Sequence, residues 1–325
     1  MRPWAERPLV LHRRKESKTS SSSRLLLPTP KSMTHLHLLS LTNTQVQDAP
    51  GGSVIRVLDA GCGRGDLLAY LQNGLTALRP DLEFEIYGFD ISWGTPETNA
   101  GKEKAVKELE RAAPGPDWSQ RISLLSPSSA WPYPNNFFHA IVSNQVLEHV
   151  ANHEAFFAEV KRTLTPGGFS AHLFPLKNYI YEGHIFVPFA HRFGNHDLAV
   201  RYLRLMHRIG FGHLDSEGRP CGNGAANPEN QADWLMRFTN YRTKNEFIRF
   251  ARREGLRVSF RFTQEFYWAK IRSILKLPPR YIYSRKRSAL IDWLLVTTLK
   301  YLSSITLYFE KPEVPEDAEL LFAHA

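Results

Sequence analysis

Three glycines at alternate positions, Gly61, Gly63 and Gly65, follow Asp59 and close a short apolar run, Val54 to Leu58. Glycine allows a tight turn and lets a ligand approach without a Cβ in the way. A loop of this kind, between a buried strand and a helix, binds nucleotides in open α/β sheets, where ligands lie across the carboxyl ends of the strands. The spacing narrows the ligand. A dinucleotide fingerprint, G-x-G-x-x-G, would need glycine at Asp66 counted from Gly61, or at Leu68 counted from Gly63, and neither register holds. The phosphate-cradling G-x-x-x-x-G-K-[ST] is absent as well. A second acid, Asp90, ends another apolar run 25 positions after Gly65. A carboxylate there can accept two hydrogen bonds at once. The chain also holds thirteen histidines, and an imidazole has the pKa to take a proton near neutrality.

The elements that must position these residues alternate between strand and helix. After the strand from Val54, a helix from Asp66 to Arg79 places Leu67, Leu71, Leu75 and Leu78 on one face, and Pro80 stops it. Glu83 to Asp90 reads as the second strand, Lys102 to Arg111 as a charged surface helix, Arg121 to Leu125 as the third strand and Ala140 to Ser143 as the fourth. Asn152 can cap a helix running to Leu164. Pro166-Gly167-Gly168 ends it, and Phe169 to Phe174 is the fifth strand. Residues 176–236 show little regular period, and Gly210 to Asn230 reads as a long loop. A helix over Tyr241 to Glu254 and strands at Arg257–Phe262 and Ser304–Phe309 follow.

Four stretches together carry a resemblance. They are Asp59-x-Gly61-x-Gly63-x-Gly65, Ile86 to Ser92 ending its strand in Asp90, Phe138 to Val150, and Leu164-Thr165-Pro166-Gly167-Gly168-Phe169. In this order they resemble the class I S-adenosylmethionine-dependent methyltransferases over residues 53–176. The resemblance implies an α/β fold, a Rossmann-like, doubly wound sheet of seven strands, with helical insertions near the C-terminus. It implies S-adenosyl-L-methionine as cofactor. Gly61, Cys62, Gly63 and Gly65 would line it, Asp59 would face its amino-acid end, and Asp90, beside Ile91, would hold its ribose hydroxyls. Asn144 and Gln145 would face it from the fourth strand. His149 would stand near the methyl group, with His184 and His191 on the substrate side, as candidate catalytic residues.

The chain also departs from the family's pattern. Leu125-Ser126-Pro127-Ser128-Ser129 carries no acid for the adenine amino group, and His139 stands where aspartate is common. Some relatives bind a divalent ion through Glu-x-x-Glu-His. Here the string is Gln145-Val146-Leu147-Glu148-His149. An amide replaces one carboxylate, the ligand that hard cations prefer, so no metal is expected.

Charge divides the chain. Residues 1–33 hold eight Lys/Arg against two acids, and 34–236 are mildly acidic. Residues 237–311 hold seventeen bases against five acids, and the tail 312–325 has four acids and no base. The organisation expected is a disordered leader over 1–33, with Met33 as an alternative start; a cofactor half over 34–176; a substrate-side region over 177–240; a sheet-closing segment over 241–311 with a basic, apolar, helical insertion at 267–303; and an acidic tail. Two distant cysteines, Cys62 and Cys221, give no disulfide framework and suit a reducing, cytoplasmic setting. The insertion suits peripheral contact with an anionic membrane. The function expected is methylation of a hydroxyl on a small molecule, glycan or lipid-linked precursor. The alternatives are an RNA methyltransferase drawn by the basic last quarter, and a non-catalytic binding or scaffold protein. Nucleic acid is disfavoured because no Asn-Pro-Pro-Tyr-like motif follows the fourth strand.

Overall fold

In the computed structural model of the chain, which describes residues 9–10, 26–27, 32–91, 96–212, 227–284 and 288–313, the apolar runs become one seven-stranded sheet. Its strands are β1 (Val54–Ala60), β2 (Glu83–Ile91), β3 (Ile122–Leu125), β4 (Phe138–Asn144), β5 (Leu164–Phe174), β6 (Arg257–Ser259) and β7 (Ile305–Glu310). They lie in the order β6-β7-β5-β4-β1-β2-β3. β1 to β5 pair in parallel, and β7 runs antiparallel to both β5 and β6. The strand order reverses between β1 and β4. That is the switch point at which such sheets bind ligands, and it brings the end of β1 beside the end of β4.

The helices are α1 (Met33–Gln45), α2 (Asp66–Leu78), α3 (Pro96–Ala112), α4 (His153–Thr163), α5 (His196–Arg208), α6 (Pro228–Phe238), α7 (Lys244–Arg253), α8 (Thr263–Ile274) and α9 (Ala289–Leu299). They cover both faces of the sheet. Leu39, Leu68, Leu71 and Leu75 pack with Val57, Phe84 and Ile86 on one side. Phe157, Val160 and Phe247 pack with Leu58, Ile141 and Phe309 on the other. Each such side chain contributes roughly 1.5–3 kcal/mol by leaving water. His139, in the place of the common aspartate, accepts the Arg56 N–H on Nδ1 at 3.0 Å. Its role is therefore to tie β4 to β1.

Several boundaries differ from the sequence reading. α1 carries no helical period in its Leu, His, Ser and Thr residues, because everything from His35 to Thr44 is buried. α1 lies between α2 and α8. His37 bonds Tyr283 Oη at 3.1 Å and Thr306 Oγ1 at 2.9 Å, and Asn43 Nδ2 donates to the Tyr281 carbonyl at 2.8 Å. Helices α5 and α6 fall in the stretch read as aperiodic. Asn195 and Asn227 cap them, and Pro228 occupies the first turn of α6. Residues 213–226 of the long loop lie outside the described residues. Pro166 to Gly168 do not precede β5 but lie within it, where its register to β4 shifts. β6 stops at Ser259, and Phe262, at φ 74°, opens α8 four residues ahead of the insertion read from the sequence. Of the leader, Leu9–Val10 and Leu26–Leu27 form a two-rung antiparallel pair. The rest of 1–31 and the tail from 314 lie outside the described residues.

Candidate functional site

Gly61, Gly63 and Gly65 all have positive φ, at 84°, 51° and 84°. A Cβ on Gly61 would stand 2.6 Å from Val146 Cγ2, and one on Gly65 2.6 Å from Leu109 Cδ1. At Gly63 the nearest atom is Asp90 Oδ2 at 3.9 Å. Packing therefore dictates the outer glycines, and the middle one borders the open space a ligand needs. The loop is tied to the end of β2. The N–H groups of Gly61 and Cys62 both donate to the Phe89 carbonyl at 2.9 Å. Gly63 N–H donates to Asp90 Oδ2 at 2.6 Å, and Ile91 N–H to Oδ1 at 2.7 Å. Each Asp90 oxygen thus binds one backbone N–H and keeps a lone pair for a ligand hydroxyl.

Asp59 is buried at 1% exposure, with Oδ1 lacking a hydrogen-bond partner. Burial, and then the charge of Asp90, push its pKa up to about 8. Cys62 turns its thiol into the core against Gly88, so only its backbone borders the loop. At the end of β4, Asn144 keeps a buried, unpartnered Oδ1. Gln145 behaves differently. Its Nε2 donates to Ser304 Oγ at 3.0 Å and more weakly to the Leu173 carbonyl at 3.3 Å. The amide thus points towards β5 and β7, away from the glycine loop.

Val146, which packs on Gly61, leads into a single turn, Leu147–His149. Glu148 is 1% exposed, both its carboxylate oxygens lack partners, and burial raises its pKa to about 8. His149 reaches the surface. Its Nδ1 donates to the Phe238 carbonyl at 2.7 Å, which leaves the lone pair on Nε2. The His184 ring lies 4.9 Å from that of His149. His184 Nδ1 meets Glu182 Oε1 at 2.6 Å, and the fully buried Glu182 also accepts the Tyr241 hydroxyl at 2.8 Å and the Ile185 N–H at 2.9 Å. Burial disfavours the His184 cation, but the hydrogen bond and charge of Glu182 outweigh it and hold the pKa above the ordinary histidine value. Burial likewise opposes the Glu182 carboxylate, and His184 overcomes it. The pair is charged wherever His184 carries its proton. Trp234, from α6, closes the cluster with its ring 4.9 Å from His184.

The fold therefore brings together two of the three candidate histidines. The third, His191, bonds the Lys177 carbonyl through Nε2 at 3.1 Å and lies 4.5 Å from the Tyr241 ring, one residue removed from the cluster. Sequence reasoning missed Glu182, Tyr241 and Trp234, and passed over Glu148. Glu182 had a signal, standing two residues before His184. Trp234 had none, because α6 was not legible as structure, and Tyr241 was read as the first residue of a helix that begins instead at Lys244. One ligand atom from each of Glu148, His149 and His184 lies within 4.8 Å of the other two. A carboxylate with two imidazoles suits a borderline divalent cation better than Mg²⁺ or Ca²⁺.

A doubly wound sheet of this strand order, a glycine loop after its first strand and an acid closing its second define a class I methyltransferase, the class that uses S-adenosylmethionine. A family described as a methyltransferase domain matches residues 11–260, and the chain belongs to that family. No curated protein matches the chain. Among solved structures, the chain is similar to the [4+2]-cyclase SpnF at 17% identity and a TM-score of 0.42, covering 86% of this chain and 82% of the other. It is similar to geranyl diphosphate C-methyltransferase from Streptomyces coelicolor A3(2) at 11% identity and 0.40, covering 84% and 79%. An S-adenosylmethionine dependent methyltransferase from Mesorhizobium loti matches at 16% and 0.41, covering 83% and 97%. At these values none bears on the substrate.

Proposed function

We propose that the chain transfers a methyl group from S-adenosylmethionine to a hydroxyl of a small molecule, glycan or lipid-linked acceptor, with His149 as the base. The observation that carries this reading is the convergence of His149 and His184 within 4.9 Å on the turn that packs against the glycine loop. The cofactor supplies a methyl group on a sulfonium. The residues that fit it are Asp90, for the ribose hydroxyls, Asp59 and Asn144, which keep unpartnered buried oxygens, and Gly63, which leaves the space. Nε2 of His149 would take the proton of the acceptor hydroxyl as that oxygen is methylated. His184, fixed by Glu182, orients the acceptor oxygen through Nε2. Alignment of the two reacting atoms supplies much of the rate. Asp90→Ala is expected to weaken S-adenosylmethionine binding at least about a hundredfold in calorimetric titration, since a pair of charge-assisted hydrogen bonds is lost. Unchanged affinity in a folded variant would overturn the cofactor assignment.

A second reading follows from the orphaned oxygens of Glu148. The Glu148–His149–His184 cluster holds a divalent ion, with an open position for the acceptor oxygen. Untagged protein titrated with Co²⁺ is then expected to show one visible-absorbing site per chain, lost in His149→Ala and in His184→Ala. Titration without that absorption leaves the imidazole base as the sole reading.

A further inference from the structure

We infer that helices α8 and α9 form a docking surface for an anionic lipid bilayer and that this surface delivers the acceptor to the site. The helix α9 is apolar around its whole circumference, with Asp292 as its one charged residue, yet of its large apolar side chains only Val296 is buried. A helix of that kind belongs inside a large protein or in a membrane, and this one lies at the surface. Leu290 is 65% exposed and Trp293 55%. On α8, Trp268 and Ile271 follow helical spacing along one exposed face that the capping residue Leu275 continues, and Ile274 beside them is 79% exposed.

The two helices are one unit. Tyr267 Oη donates to the Leu299 carbonyl at 2.9 Å, and Lys270 Nζ to Ser303 Oγ at 2.6 Å. At 11 residues α9 is about 16 Å long, half of the ~30 Å hydrocarbon core. Among the described residues no helix is long and apolar enough to cross a membrane. The helix therefore lies in the interface rather than spanning it.

Charge selects the occupant. The described residues of 267–303 hold five bases and one acid. A symmetric dimer would set that patch against itself, base facing base. Anionic headgroups complement it, as they do other basic stretches at a membrane surface. Lys276 and Arg280 are exposed beside the apolar ridge, and tryptophan is the residue type that settles at headgroup depth.

The surface runs up to the acceptor side. Ile180, itself 37% exposed, donates its N–H to the Tyr301 carbonyl at 3.1 Å. It precedes Glu182 and His184 on the same segment. Ser304, just after the insertion, holds Gln145 at the end of β4. Delivery of the acceptor from the bilayer rests on reading the His149–His184 cluster as the acceptor site, whereas docking itself does not.

The full chain, incubated with phosphatidylcholine vesicles with or without about 30% phosphatidylserine, is expected to co-sediment at least about tenfold more tightly with the anionic ones. Tryptophan emission should shift to the blue, and salt should weaken binding. Trp268→Ser with Trp293→Ser should lower affinity about tenfold on both vesicle types, and Lys276→Glu with Arg280→Glu should remove the preference for phosphatidylserine. S-adenosylmethionine binding, measured in the same samples, separates this inference from the cofactor reading and reports folding. No binding by wild type that still binds cofactor, unchanged binding by the paired tryptophan variant, or a stable dimer that this variant dissociates would each overturn the inference.

Discussion

His149→Ala lowers methyl transfer by about 10²–10⁴, the usual contribution of a positioned general base, and leaves S-adenosylmethionine affinity within about twofold. The asymmetry follows from where the ring stands. Its Nδ1–H is committed to the Phe238 carbonyl, so the tautomer is fixed and the lone pair sits on Nε2. Burial, reinforced by the neighbouring His184, outweighs that hydrogen bond and keeps the pKa below the ordinary 6.5. The base is thus in its neutral, accepting form at pH 7. The proposed cofactor groups Asp90, Gly63 and Asp59 lie on β2, the glycine loop and β1, whereas the ring is held by the Phe238 carbonyl. His191→Ala, whose Nε2 serves the Lys177 carbonyl, should cost less than about tenfold. The measurement is release of S-adenosylhomocysteine against a panel of hydroxyl acceptors. Full activity in all three single variants, at 149, 184 and 191, would refute a histidine base.

The second large effect is on stability and concerns Asp59. Its ordinary pKa is 3.8 and its folded value about 8. Between those limits the folded chain holds a proton that the unfolded chain has released. Stability therefore falls as pH rises, by about 1.4 kcal/mol per unit for one proton. The favourable contribution is whole below the unfolded value and gone above the folded one. Above the ordinary histidine value, where the lowered pKa values of His153 and His172 no longer add a rising slope, thermal melts of the cofactor-free protein should drop from pH 7 to pH 8, and Asp59→Asn should about halve that slope, buried Glu148 supplying the rest, and raise the melting temperature at pH 8. The same substitution should weaken cofactor binding, because the cofactor's cationic amino-acid end is the partner that makes the carboxylate favourable. Calorimetry in buffers of different ionisation enthalpy should show about one proton released on binding near pH 7 by wild type and none by Asp59→Asn. Parallel melts for the two proteins across the range would refute the assignment.

The cofactor half was legible because each part of it obeys a local rule. Alternate glycines need positive φ, β1 and β2 are short apolar runs closed by acids, and α2 keeps its leucines on one stripe. In the proposed acceptor cluster the sequence pointed to His149 and His184 alone. Glu182 and Tyr241 act through contacts between residues 59 positions apart, and no spacing rule announces such a pair. α1 was silent for a different reason. A helix buried on all sides has no polar face, so it has no period to read. The metal question turned on the same limit. The string at 145–149 shows a missing carboxylate, whereas the fold adds His184, 35 residues further on, as a third ligand atom.

The stitching of α1 has a consequence for how the chain is made. His37 finds its partners 246 and 269 residues away, at Tyr283 and Thr306. A helix near the start of the chain therefore cannot complete its packing until almost the whole polypeptide has left the ribosome. Contacts of such sequence separation form late and slowly. Until then α1 is covered by α2, β4 and β5 alone, and the nascent chain leaves the face that α8 will cover open for much of its synthesis. Strand β7 both closes the sheet and locks α1, so the two become native together.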